Sequence, residues 1–80
     1  MSDEYNTLRQ NIAANVRAGR ARLGISQEEL AYRADIDRTY VSQIERCVNN
    51  PSLQVLCKVG HALGVSTISL LTVSDLSSQD

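Results

Sequence analysis

Arg38, Thr39, Ser42 and Gln43 carry hydrogen-bonding side chains at positions i, i+1, i+4 and i+5, so a helix through them gathers all four on one face. The chemistry open to such a face is recognition. The planar fork of Arg38 can grip O6 and N7 of a guanine, a contact worth about 1–3 kcal/mol of discrimination. Thr39 can meet a thymine methyl or form a hydrogen bond, and Gln43, with Ser42 beside it, can pair with adenine or bond a phosphate. Gln27, Arg33, Tyr40, Arg46, Asn49 and Asn50 surround this set and offer donors suited to phosphate oxygens. Asp37, the cap of the same helix, completes the phosphate-side edge. Bland readings stand beside these: a solvated helix face for the polar stripe, capping for Gln27, partial core burial for Tyr40, and turn formation for Asn49 and Asn50.

Other chemistry is poorly supplied. Cys47 and Cys57 stand ten residues apart with His61 as the single histidine, and a zinc site needs about four ligands. There is no phosphate-binding glycine loop and no clustered acid–base pair, so an enzyme is the weakest reading. No metal, cofactor or small-molecule ligand is expected. A thiol sensor at Cys47 lacks a resolving partner, because Cys57 is expected in the core of the fourth helix.

The elements that position the polar face follow from hydrophobic spacing. A first helix from about Asn6 to Leu23 puts Leu8, Ile12, Val16 and Leu23 on one face, and Gly24 ends it. Ser26 and Glu29 form a capping box that opens the second helix, whose inner face is Leu30, Ala31 and Ala34. Asp35 and Ile36 make a turn. A third helix, capped by Asp37, points Val41 and Ile44 inward and ends near Arg46. Asn49-Asn50-Pro51 is a loop. Ser52 caps a fourth helix bearing Leu53, Leu56, Val59, His61 and Leu63. Gly64 closes it, and Ser66 caps a short fifth with Ile68, Leu70 and Leu71. Residues 1–80 read as one all-α domain, its core spanning about 6–73 and its tail, 74–80, frayed.

Charge and composition set limits on partners. A net charge of −1 argues mildly against nucleic acid, but seven arginines face five acids between Arg9 and Arg46. One basic face is therefore compatible with an acidic total. No apolar run approaches the ~18 residues of a membrane span, and Met1-Ser2-Asp3-Glu4 does not resemble a signal peptide. The expected location is the cytoplasm. Arg9, Arg17 and Arg22 read as solvated.

Gly24-Ile25-Ser26-Gln27-Glu28-Glu29-Leu30-Ala31, Val41-Ser42-Gln43-Ile44-Glu45-Arg46, Asn50-Pro51-Ser52-Leu53 and Ala62-Leu63-Gly64-Val65-Ser66 resemble the phage-repressor and Cro-type helix-turn-helix family. The likeness covers about residues 12–72. Leu30-Ala31-Tyr32-Arg33, Asp37-Arg38-Thr39-Tyr40-Val41-Ser42 and Ile44-Glu45-Arg46 are similar, more narrowly, to the controller proteins of restriction-modification systems. The resemblance implies a compact five-helix, lambda-repressor-like DNA-binding domain of bacterial or phage origin. It also implies that Arg20 and Glu45 form a buried ion pair tying the first helix to the end of the third. Three residues depart from the pattern: Asp35 and Cys47 stand where glycine is usual, and Gly19 replaces a leucine, removing a core side chain.

A chain this small gains specificity by pairing on a palindromic operator of double-stranded DNA, with two reading helices ~34 Å apart. The expected homodimer surface is Val65, Ile68, Leu71 and Val73, with Leu76 beyond; the bland reading is that these complete the core. The functional expectation is a transcriptional regulator that blocks a promoter or recruits RNA polymerase. The alternative is an antitoxin-like or other protein-interaction module whose DNA binding is autoregulatory.

Overall fold

The computed structural model describes residues 2–73, in which five helices follow one another: α1 Ser2–Leu23, α2 Gln27–Ala34, α3 Arg38–Glu45, α4 Leu53–Leu63 and α5 Thr67–Leu71. No strand occurs among the described residues, so the fold is all-α as the spacing implies. The first helix starts four residues earlier than expected, with Asp3 and Glu4 in its first turn, where acids favour the positive end of the helix dipole. The expected tail, 74–80, and Leu76 with it, lie outside the described residues.

The four later helices all begin on a side-chain cap. The hydroxyls of Ser26, Ser52 and Ser66 accept from the amides of Glu29, Val55 and Ser69 at 2.9, 3.1 and 3.1 Å, and the Asp37 carboxylate accepts from Thr39 at 3.1 Å. Only the serine half of the expected capping box forms at Ser26. The Glu29 carboxylate is taken by Arg33 Nε, one turn on, at 2.8 Å.

Helix ends share one device. After α1, α2, α3 and α4, a residue in the left-handed region is followed by a β-branched one whose amide reaches back five residues: Ile25 to Arg20, Ile36 to Ala31, Val48 to Gln43 and Val65 to Gly60. This is the Schellman arrangement, which satisfies carbonyls that a helix end leaves open. Gly24 and Gly64 take the left-handed position without strain, but α2 and α3 use Asp35 and Cys47, both at φ 58°.

Val16, Leu30, Val41, Val59 and Leu70 are the best-buried large side chains, joined by Ile12, Ile44, Leu56 and Leu63. Three expectations fail here. Leu23, in the last turn of α1, is 41% exposed. Leu53, the first residue of α4, precedes the buried stripe that starts at Leu56 and is exposed. Cys57, one turn after Leu53 on that outer face, is exposed rather than in the core. At Gly19 the expected loss of core packing is made good by Leu63, whose Cδ1 would stand 2.9 Å from any added Cβ.

Helix α1 also fastens the ends of three other helices, through arginines of which Arg17 and Arg22 remain exposed as expected and Arg9 is half-buried. Arg17 donates to the Glu45 carbonyl, Arg9 to the Cys47 carbonyl at 2.8 Å, and Arg22 to the Leu63 carbonyl at 2.8 Å. Asn15 donates to Leu70 and Thr72 at 2.9 and 2.7 Å, and Asn11 to Leu71 at 2.9 Å. Carbonyls at helix C-termini carry partial negative charge and lack intrahelical partners, so cations and amides are drawn to them.

Candidate nucleic-acid interface

Helix α3 is eight residues long, about 12 Å at 1.5 Å per residue. Its inner side is fixed by burial: Val41 is fully buried, Ile44 is 2% exposed and Glu45 is 4% exposed. The 3.6-residue period then leaves Arg38 and Thr39 exposed in the first turn, with Ser42 and Gln43 half-buried one turn on. The four expected reading residues therefore share one side of one helix. The Asp37 carboxylate holds the start of that helix by accepting from Thr39 and can only repel a phosphate, so its role is positional. Arg46 leans back along the helix and donates from Nε to Ser42 Oγ at 3.3 Å, its remaining guanidinium nitrogens free to reach outward.

Tyr40 is partly in the core, and its phosphate reading stays open. Its ring packs against the core, while its hydroxyl oxygen accepts from the Ser52 amide at 3.3 Å. The hydroxyl proton is left available to donate. Arg33 is held by Glu29 through Nε, and its side chain is 44% exposed. Asn50 is exposed, but Asn49 is not available: both its amide atoms are buried and unpartnered, as is Arg9 Nε. The loop turns the Asn49 side chain inward, so the phosphate role expected for it does not hold in this conformation.

The back of the site is an ion-pair network. Glu45 accepts from Arg20 Nε at 2.7 Å and Nη2 at 3.0 Å, a two-pronged contact, and from Gln27 Nε2 at 3.0 Å. Arg20 Nη1 continues to the Ile25 carbonyl at 3.1 Å. One carboxylate thus joins the end of α1, the start of α2 and the end of α3. Burial pushes the Glu45 carboxyl up, but hydrogen bonds from Arg20 and Gln27 and the charges of Arg20 and Arg17 outweigh it and leave it below its ordinary value. The hydrogen bond to Glu45 raises Arg20, against a smaller opposing effect of burial. Gln27 spends one amide proton on Glu45 and keeps the other.

Sequence reasoning missed that inward bond of Gln27 and the anchoring role of Asn11 and Asn15. A signal for the asparagines existed. Two residues that disfavour helix interiors sit one turn apart within a long helix, which demands a reason such as hydrogen bonding to a neighbour. At the other end of the molecule, Val65 and Leu71 are partly buried against the core. Ile68 and Val73 are 73% and 63% exposed. The four residues expected at a dimer surface thus divide into two that support α5 and two that face outward.

Comparisons agree with this geometry. Residues 16–70 match the family described as Helix-turn-helix. The chain is 47% identical over 71 residues to a Neisseria hypothetical transcription factor from Neisseria meningitidis serogroup B, covering 89% of this chain and 66% of that one. It is 42% identical over 67 residues to the control protein C.BamHI of Bacillus amyloliquefaciens, covering 82% and 83% of the two chains. A crystal structure of the biofilm master regulator SinR in complex with DNA superposes with a TM-score of 0.72 at 40% identity, over 76% of this chain and 98% of that one.

Proposed function

Because the chain belongs to the helix-turn-helix family of DNA-binding transcriptional regulators, we propose that it binds a palindromic operator as a homodimer. In this reading Arg38 and Thr39 contact base edges, and Ser42 and Gln43 extend the contact along the groove. Phosphates are held by Arg33, Tyr40, Arg46 and Asn50 and by the free amide proton of Gln27, helped by the positive end of the α2 dipole. Ile68 and Val73 carry the dimer contact, supported from behind by Val65 and Leu71. The likeness to C.BamHI supports a controller of a restriction-modification system, acting in the bacterial or phage-infected cytoplasm by excluding or recruiting RNA polymerase. No catalytic step belongs to this reading.

The observation that carries it is the exposed first turn of α3, whose Arg38 and Thr39 make no side-chain hydrogen bond among the described residues while the end of the helix is anchored by Arg20 and Gln27. Unpaired donors on a fixed rod are what base readout requires. Selection of bound duplexes from a random pool tests it. The expected result is two inverted half-sites with centres about 10 base pairs apart. Recovery of a single half-site, or of no preferred sequence, overturns the palindromic reading.

A further inference from the structure

Among the described residues, three buried side-chain polar atoms have no hydrogen-bond partner: Arg9 Nε and both amide atoms of Asn49. The two side chains line one small cavity at the end of α3, whose other walls are Ile12, Ile44, Pro51 and Cys47. The cavity has no room for a water molecule, so solvent does not satisfy these atoms, and each unmade bond carries a desolvation cost. Two donors and one acceptor, gathered without a partner, suit a small group that both accepts and donates.

Cys47 is placed to carry that group. It is half-buried, its Sγ meets the Arg9 carbonyl at 3.6 Å, and the Arg9 guanidinium donates to its own carbonyl at 2.8 Å. Partly exposed thiols in positively charged surroundings are the ones that oxidise. An oxygen bonded to sulfur sits at covalent rather than contact distance, so it needs less room than a free water.

We propose that Cys47 is a modification site, oxidised by a hydroperoxide to a sulfenic acid that Arg9 and Asn49 retain. The sulfur attacks one peroxide oxygen. An S–O bond forms as the O–O bond breaks, sulfur gives up two electrons to the peroxide, and the thiol proton leaves on the departing hydroxide as water. The new S–O–H group can donate to Asn49 Oδ1 and accept from Arg9 Nε and Asn49 Nδ2, the three atoms that lack partners beforehand. Cys57 is exposed on α4 and does not line the cavity, so the acid is kept by hydrogen bonds and not passed to a resolving thiol. The loop after α3 is then tied to α1 through the added oxygen.

Titration of the full chain carrying Cys57→Ser with hydrogen peroxide, followed by mass spectrometry, tests this. Cys47 should gain a single oxygen, hold it, and lose it to added dithiothreitol. Asn49→Leu removes a donor and an acceptor at similar volume and should shorten the lifetime of the sulfenic acid about tenfold, as it passes to sulfinic and sulfonic acids. Asn49→Ala replaces it if the leucine disturbs the fold. Melting gives a second readout. Oxidation should raise the melting temperature of the Cys57→Ser protein, because unpartnered atoms gain partners, and lower that of its Asn49 variant, where the added oxygen lacks them. A wild-type chain in which peroxide oxidises Cys57 but leaves Cys47 untouched overturns the site. A sulfenic acid whose lifetime and melting shift are the same with and without the Asn49 amide overturns its retention.

Discussion

The two ends of α3 are built to opposite rules. At its start, Arg38 and Thr39 are exposed and one cap, the Asp37 carboxylate on the Thr39 amide, holds the backbone. At its end, Glu45 is 4% exposed and receives three hydrogen bonds from Arg20 and Gln27, while Arg17 and Arg9 hold the carbonyls of Glu45 and Cys47. A helix that must present unpaired side chains cannot also be secured by them. It is secured from behind, by Val41 and Ile44, and from its far end, by α1. Substitutions at the end should therefore register in stability, and those at the start in DNA recognition.

The largest effect expected is at the end. Arg20→Ala strands a buried carboxylate and should cost about 3–5 kcal/mol of stability, read from the urea midpoint at neutral pH. A loss below about 1 kcal/mol would place this pair among weak surface bridges and erase the contrast. Acid titration reads the same network. Glu45 has its folded-state pKa below the ordinary 4.5, so its contribution is intact above that value and fades as pH falls from there toward the folded-state value. The Arg20→Ala variant should lose this acid sensitivity.

At the start of α3 the effect moves to recognition. Arg38→Ala should remove about 1–3 kcal/mol of discrimination at one base position in each half-site and leave the urea midpoint unchanged. An equal loss of affinity on all sequences would make Arg38 a phosphate contact, with a shallower salt dependence as its mark. Asp37→Ala lies between the two classes. It removes a cap, about 1 kcal/mol of stability, without removing a reading side chain.

What was legible in the sequence follows the same division. The five elements, their serine and aspartate caps, and the polar face of Arg38, Thr39, Ser42 and Gln43 were legible because caps and periodicity are local. The Arg20–Glu45 pair was reached only through resemblance, since no local rule joins residues 25 positions apart. The bonds from Arg9, Arg17 and Arg22 to distant carbonyls were missed for the same reason: a charge pattern does not reveal which helix end lies opposite. Asn49 was misplaced because turn chemistry predicts where a chain bends but not which way a side chain faces. Cys57 and Leu53, one turn apart, both lie on the outer side of α4, and which side of a helix end faces the core is set by the neighbouring helices rather than by the residues themselves.

The smallest effect expected concerns how the C-terminal end of α3 is terminated. Cys47 holds φ 58° where Gly24 and Gly64 occupy the equivalent position elsewhere, and a left-handed conformation costs an L-residue roughly 1–2 kcal/mol. Cys47→Gly relieves that cost but adds about 0.4–1 kcal/mol of unfolded-state entropy, and it gives up the Sγ contact to the Arg9 carbonyl at 3.6 Å. The net should be stabilising by less than about 1 kcal/mol, with DNA binding unchanged. Gly64→Ala supplies the control of opposite sign. Nothing lies within 4 Å of an added Cβ there, so its destabilisation measures the backbone cost alone. If Cys47→Gly instead lowers the melting temperature, the Sγ contact outweighs the strain, and the end of α3 is held by its thiol as well as by its carboxylate.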